Sequence, residues 1–405
     1  MRTGNRRRIV ITGMEVYCSA GRDTNELYQQ LHNNRTGIKK FELFSTQGLN
    51  SDYFGAIDDL LPGDVLSVGG ESRTVYIIEK LIKELMENGN VSKGNIEDMF
   101  ERCQLSFATS VGLNEYVTGY INDRNKGNNN LGWLSKIPEY IIRPFQNKLG
   151  IRGAYSINSA ACTAGTAAIG AAVTNIRCDL ADMVIVCAVD PLTQAAVYGF
   201  NSLNNISHSM CNPFDQTIDG ITLGEGGAIF ILEEYEHAIK RNAKIYCEVC
   251  GYGIGNDAYH ITSPDISGNG AYRVMKRALD DAGIEAEDID YINTHGTGTE
   301  HNDNTEIAAI KLLYEGLDHK KVYVNSIKSY IGHCLAAAGG IELVAAILSI
   351  THNEIFPNYG MKNCLVNLPN IEFVKEQNVY SEIQYAISNS YAFAGSSASV
   401  IVGKI

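Results

Sequence analysis

The sequence predicts an α/β protein made of two related halves packed into one body, and three observations lead there. Strand-like and helix-like segments alternate along all 405 residues. Apolar runs such as "ADMVIVCAVD" (181–190) read as strands covered on both faces. Each half also carries a strand–turn–helix unit near its middle, "YSINSAACTAG" (155–165) and "DYINTHGTGTEHND" (290–303). The halves are assigned as 1–250, carrying a candidate nucleophilic cysteine, and 251–405, carrying two candidate histidines. No long low-complexity linker separates them, so they are not expected to move as independent domains.

In order, "RRIVITGMEV" is a buried strand, and "TNELYQQLHNN" a helix capped by Thr24. "RTVYIIEKLIKELMENG" is apolar at helical spacing and stops at Gly89. "RCQLSFATSVG" is a strand and turn, "NDRNKGNNNLGW" (122–133) a polar surface insertion, and "AYSIN" a short strand opening into the helix "CTAGTAAIGAAVTNIR". "ADMVIVCAVD" and "GGAIFILEE" close the first half as strands. The second half starts with the strand "KIYCEVCGYGI" and the helix "NGAYRVMKRALDDAGI". The strand "DIDYINTH" precedes the helix "NTEIAAIKLLYEG", and the strand "VYVNSIK" precedes the helix "LAAAGGIELVAAILSITHN". "YAISNSYAFAG" and "SASVIVGKI" end the chain as strand, turn, strand.

Composition narrows the class. With 45% hydrophobic and 20% charged residues, the chain is an ordinary globular one. No apolar run is expected to cross a bilayer, and the basic start "MRTGNRRRIVITGMEV" reads as a first strand, not a signal peptide. Ten cysteines at irregular spacings, without an export signal, read as reduced thiols in a cytoplasmic protein. A net charge of −13 disfavours non-specific nucleic-acid binding, and an acidic partner would need a local basic patch.

Four segments can carry chemistry. In "SAACTAGTAA" (159–168), Cys162 follows a strand and opens a helix, where amide N–H groups and the helix dipole favour a thiolate and bind an oxyanion. The alternative is a small buried thiol, which fits Cys187 within an apolar strand. The lone Cys247–Cys250 pair lacks the second pair that a metal site needs. In "NTHGTGTEHND", His295 enters a Gly/Thr turn, Thr297 and Thr299 can bond a polar ligand, and Asp303 and Glu306 fall on the next helix's first turn. Such a histidine is often partly exposed and idle. In "VNSIKSYIGHCLAAAGGIE", Lys328 ends a strand and His333 precedes a helix of very small residues. The alternative there is tight packing around a satisfied histidine. "NSYAFAGSSAS" is a small-residue turn holding Phe393, or a simple hairpin. Together the four would converge on one edge of the α/β body, where sites form.

These segments resemble those of the β-ketoacyl-acyl carrier protein synthases, elongating ketosynthases of the thiolase superfamily. "SAACTAG" is similar to the active-site cysteine segment. "NPFDQTIDGITLGEGGAIFILEE", "DAYHITSPD", "THGTGTEHND" and "SIKSYIGHCLAAAGGIE" are similar to later blocks, in the same order. The resemblance spans essentially the whole chain. It implies a thiolase-like fold of layered αβαβα form. It also implies a decarboxylative Claisen condensation of a Cys-bound acyl chain with malonyl-acyl carrier protein. Two histidines point to the elongating branch. "CTAG", "IYCEVCGYG" and "SASVIV" resemble ketosynthases of dissociated (type II) polyketide systems more than the fatty-acid enzyme.

By this resemblance Cys162 takes the acyl group, and His295 and His333 stabilise the enolate. The amides of Cys162 and Phe393 hold the oxyanion, and Phe393 gates the acyl pocket. Lys328 positions the His333 region and pairs with Glu342. Thr297 and Thr299 contact the pantetheine arm, and Asp303 and Glu306 support the loop. No metal or cofactor is implied beyond the carrier's phosphopantetheine, and no nucleic acid or membrane. The partners implied are acyl carrier protein and either a second copy or a related chain-length-factor subunit, meeting along "ADMVIVCAVD". Arg73, Arg124 and Lys126 are candidate carrier contacts. The chain departs from the family's pattern at Ala392 and Ala394 beside the gate, where glycines are usual. It departs again at Ser396 and Ser397, where Thr-Asn is usual, and at Asn212, where an arginine is usual. Fatty-acid elongation, or a thiolase-like acyl transfer without decarboxylation, are the competing readings. A catalytically idle partner subunit would lack the cysteine.

Overall fold

One mixed sheet of eleven strands runs through the molecule, and its order carries the internal repeat. The computed structural model describes residues 6–41, 45–59, 72–88, 102–112, 114–129, 131–132, 137–317 and 320–405, with backbone alone for 137–140. In the first half the strands are Ile9–Cys18, Cys103–Ala108, Tyr155–Asn158, Met183–Asp190 and Gly226–Glu234. They lie side by side in the order third, second, fourth, fifth, first. In the second half Cys247–Asn256, Tyr291–Asn293, Val322–Asn325, Tyr385–Tyr391 and Ser396–Gly403 take the same order. The strand directions repeat as well. The second strand is parallel to the third and fourth, and the fifth is antiparallel to both neighbours.

The two first strands meet antiparallel at Val10–Glu248 and Ile11–Cys247, which joins the halves. The strand Ile371–Phe373 extends the outer edge of the second half. The second repeat starts at Cys247, so the junction lies in 241–246, and a boundary at 250 falls inside a strand.

Two helices lie between the halves of the sheet. Ala164–Arg177 and Ala338–His352 touch each other and strands of both repeats. Their apolar residues, Ile169, Val173, Ile341 and Val344 among them, share one core with Phe230 and Val249 from the two repeats. Arg73–Glu87 and Ile137–Leu149 cover the outer face of the first half. Asn269–Ala282 and Glu300–Leu313 cover that of the second. The layering is therefore the expected αβαβα.

The central helix is apolar all round, the mark of a helix with no solvent face. Every residue from Ala338 to Ile350 is buried. By length and composition alone the run Leu335–His352 could span a bilayer, contrary to the sequence expectation, yet 89% of it lies inside the protein.

Several local expectations shift. Asp23, not Thr24, caps the helix Thr24–His32, accepting from the Glu26 amide at 2.7 Å. The helix Arg73–Glu87 is capped by Ser72, and its expected Gly89 stop lies outside the described residues. The polar insertion begins as the end of the helix Asn114–Asn125; Asn130 and Trp133 lie outside the described residues.

The strand Met183–Asp190 is no pairing edge. It is buried throughout and flanked by Cys103–Ala108 and Gly226–Glu234. An unbroken apolar run marks burial on both faces, which fits a sheet interior. The free edge of the first half is Tyr155–Asn158, where Tyr155 and Ile157 are 54% and 40% exposed. Arg73 is likewise no carrier contact: it is buried and ion-paired with Glu225. Arg124 and Lys126 are exposed.

Candidate active site

The four segments singled out in the sequence do converge. Cys162, His295, His333 and Phe393 line one pocket, together with Thr297 and Thr299.

Cys162 sits on a tight turn between the strand Tyr155–Asn158 and the helix Ala164–Arg177. Ala161 just before it takes a φ of +48°, a left-handed conformation that costs a non-glycine residue about 1–2 kcal/mol. Neighbours hold the turn: the Ser110 hydroxyl donates to the Ala161 carbonyl at 3.0 Å, and the Thr163 hydroxyl donates to Ala160 at 2.7 Å. A Cβ at Gly165 would stand 2.5 Å from the Ala336 carbonyl. Only glycine lets the start of the cysteine's helix meet the segment after His333.

Burial pushes the Cys162 thiol up to about 12, with Lys328 pulling it back and Asp190 and Glu342 adding to the rise. Burial therefore favours the thiol, where the helix start alone suggests a thiolate.

Each histidine is held by one side of its ring. The His333 Nδ1 accepts from the Leu335 amide at 3.2 Å, so its proton resides on Nε2. The His295 Nδ1 faces the Lys328 ammonium at 3.3 Å, which has only protons to offer, so His295 too carries its proton on Nε2. The rings stand 5.2 Å apart at 83°. Both are 3% exposed, not partly open as a turn histidine suggests. Burial, and after it the Lys328 charge, lowers both well below the ordinary histidine value. The result is a pair of neutral N–H donors beside a thiol, kept neutral by burial first and by the Lys328 charge second.

Lys328 does not serve His333 as expected. It opens the short helix Lys328–Ile331, three residues past its strand, and its ammonium binds the His295 carbonyl and the Glu342 carboxylate. The pairing with Glu342 is as expected. Asp303 and Glu306 hold the His295 loop by its backbone. Glu306 accepts from His295 at 3.0 Å and Gly296 at 2.9 Å; Asp303 accepts from Thr297 at 3.0 Å and Gly298 at 3.2 Å. Burial raises Asp303 to about 6 and Glu306 to about 8. The Thr297 and Thr299 hydroxyls bond each other at 2.9 Å.

Asp190 escaped the sequence reading. Its buried carboxylate accepts from Thr109 at 2.6 Å, Val111 at 2.9 Å and Ala336 at 2.8 Å, tying the loop beside Cys162 to the segment after His333. An acid ending an otherwise apolar strand was the available signal.

The turn that carries Phe393 joins the antiparallel strands Tyr385–Tyr391 and Ser396–Gly403. Phe393 stacks on Phe200 with ring centres 5.7 Å apart. The Ser396 and Thr163 hydroxyls meet at 2.9 Å, linking this turn to the one that carries Cys162. Of the two alanines beside Phe393, only Ala394 is in the left-handed region, at φ +61°; Ala392 is extended at φ −143°. Ala394→Gly is therefore expected to stabilise the protein by about 0.5–1 kcal/mol, relieving strain at the expense of some unfolded-chain entropy. Ala392→Gly should bring no such gain. The double variant is expected to change acyl-chain selectivity more than stability, which melting curves and an acyl-carrier panel would check. An unaltered chain-length profile would contradict the gate assignment.

Comparison with known proteins follows this geometry. Residues 74–238 match the family model "Beta-ketoacyl synthase, N-terminal domain", and 246–362 match "Beta-ketoacyl synthase, C-terminal domain". The 3-oxoacyl-[acyl-carrier-protein] synthase 2 of Vibrio cholerae is 30% identical, covering 98% of this chain and 99% of its own. The enzyme of the same name from Staphylococcus aureus strain COL is also 30% identical, over 98% of both chains. Two solved structures superpose with a TM-score of 0.90 at 28% identity, covering 99% of this chain and 100% of theirs. One is a type II polyketide acyl carrier protein in complex with its ketosynthase bound to the hexaketide; the other is the ishigamide ketosynthase/chain length factor.

Proposed function

The chain belongs to the β-ketoacyl synthase family, ketosynthases that condense acyl groups presented on acyl carrier protein, and from that premise we propose a decarboxylative elongation in a dissociated polyketide pathway, run by Cys162, His295 and His333. The observation that carries the residue assignment is the pair of neutral Nε2–H imidazoles in the pocket of a helix-start thiol.

In the first half-reaction the Cys162 sulfur attacks the thioester carbonyl of an acyl carrier protein. The carrier thiol leaves with the proton that Cys162 gives up, and the acyl group stays on sulfur. The amides of Cys162 and Phe393 receive the developing oxyanion. In the second, a malonyl thioester enters past Thr297 and Thr299, which line the route for its pantetheine arm. Its carboxylate leaves as carbon dioxide, and the electron pair of the broken C–C bond becomes the enolate. His295 and His333 donate to that enolate oxygen. The enolate carbon then attacks the acyl-Cys162 carbonyl, the C–S bond breaks, and sulfur recovers a proton. No group beyond the carrier's phosphopantetheine is required. Burial keeps His295 neutral for this scheme, and the charge of Lys328 adds to that effect.

The polyketide reading is supported by the match, over nearly the whole chain, to a ketosynthase of a type II polyketide system bound to a hexaketide. The identity to 3-oxoacyl synthases favours fatty-acid elongation as the second reading. The partners we assign are acyl carrier protein and either a second copy or a related chain-length-factor subunit, placed against the exposed strand Tyr155–Asn158. A cytoplasmic setting belongs to the same reading. Intact-mass measurement of the carrier protein after turnover with its cognate partner separates the pathways. A polyketide role gives a carrier loaded with successive two-carbon units left as ketones or double bonds. A product that lengthens further only when an enoyl reductase is supplied with ketoreductase and dehydratase, so that each unit is saturated, would overturn it in favour of the fatty-acid reading.

A further inference from the structure

The His295 imidazole has contacts that its role does not by itself explain. Lys328 meets the ring at Nδ1, 3.3 Å away. One donor fixes one point of a ring and leaves its plane free to turn about that contact, while an N–H must keep its direction to stabilise an oxyanion. Two rings flank His295 and remove that freedom. His333 stands across it at 83°. Tyr391 stands on it at 65°, with ring centres 5.9 Å apart. Offset perpendicular packing of this kind is favourable for aromatic pairs, the positive edge of one ring meeting the face of the other.

Tyr391 is the last residue of the strand Tyr385–Tyr391 and is 7% exposed. It lines the pocket with Cys162. Among the described residues its hydroxyl is buried and finds no hydrogen-bond partner. The side chain is thus held by its ring and not by its polar end. We propose that Tyr391 is a positioning residue for the reaction, whose ring fixes the plane of His295 so that Nε2–H points at the enolate oxygen. The inference rests on the proposed role of His295 in decarboxylation. It also ties that role to the gate, because Phe393 lies two residues further along the same chain segment.

The test compares Tyr391→Phe, Tyr391→Leu and His295→Ala in the full-length protein with malonyl carrier protein and acyl carrier protein as probes. Carbon dioxide release and acyl loading of Cys162 are measured separately. Tyr391→Phe keeps the ring, and its decarboxylation is expected within about 2-fold of the parent. Its folding should suffer no loss, since the hydroxyl removed had no partner. Tyr391→Leu keeps bulk but not the ring, and its decarboxylation kcat is expected to fall about 10-fold with KM and Cys162 loading unchanged.

Three outcomes overturn the proposal: full decarboxylation in Tyr391→Leu, a parallel loss of Cys162 loading in that variant, or a Tyr391→Phe enzyme as impaired as Tyr391→Leu. If His295→Ala itself releases carbon dioxide normally, the proposed function fails, whereas a slow His295→Ala with a normal Tyr391→Leu removes the positioning role alone.

Discussion

Replacing Cys162 with alanine is expected to abolish acyl loading altogether, because among the described cysteines Cys162 alone lines the pocket with both histidines. Cys187 is fully buried in the core under the outer helices of the first half. Cys250 lies near the start of its strand, beside Glu248 and Arg177. Cys187→Ala and Cys250→Ala should therefore load normally. Mass spectrometry of the protein after incubation with acyl carrier protein checks all three, and an acyl adduct on the Cys162→Ala protein would refute the assignment. The thiol's elevated value adds a condition: loading should speed up as pH rises towards 9, because the fraction of thiolate grows.

The second large effect belongs to the histidines. Losing one preorganised donor to a developing oxyanion typically costs about 2.7–4 kcal/mol, or roughly 100- to 1,000-fold in rate. His295→Ala and His333→Ala should slow malonyl decarboxylation by that order, with a smaller effect on Cys162 loading. Normal carbon dioxide release in both variants would dismiss the role. The direction of their shifts predicts a pH signature. Both are lowered in the folded protein, so they stay neutral as pH falls through the ordinary histidine range near about 6.5. Decarboxylation should show no histidine limb there. Stability behaves differently. The unfolded chain takes up protons that the folded pair refuses, so this contribution is complete above about pH 6.5 and declines below it.

Much of this was legible in the sequence, and the reasons differ by residue. Cys162, His295 and Phe393 each lie in a turn just past a strand, His333 follows the short helix Lys328–Ile331, and small residues flank all four, a pattern that local reading finds; all four reach one pocket. Even the internal repeat was visible as two strand–turn–helix units, although its identical strand order is a property of pairing that no local pattern states.

What escaped was long-range. The carboxylate of Asp190 bridges loops near residues 110 and 336; its place at the end of an apolar strand marks it as unusual, but neither partner loop is near it in the chain. Lys328 was given to the nearer histidine in sequence, yet the fold brings it to His295, across the parallel strand pair Val322–Asn325 and Tyr291–Asn293. Arg73 reads as a surface charge on an amphipathic helix, but its partner Glu225 lies 152 residues away. The free sheet edge was misplaced for a related reason. The resemblance put partner pairing on "ADMVIVCAVD", yet its unbroken apolar run already marks a strand that neighbours cover.

The central claim is that one pocket first loads Cys162 and then uses His295 and His333 to turn a malonyl thioester into the attacking enolate. The most direct measurement loads the protein with an acyl group, adds malonyl carrier protein, and counts carbon dioxide against carrier product in a single turnover. One carbon dioxide is expected for each β-ketoacyl carrier protein formed, with the acyl group gone from Cys162, and neither product at that rate from the His295→Ala protein. Transfer of the Cys162 acyl group to a carrier or other thiol acceptor, with no carbon dioxide released and no C–C bond formed, would contradict it and mark the chain as a simple acyltransferase.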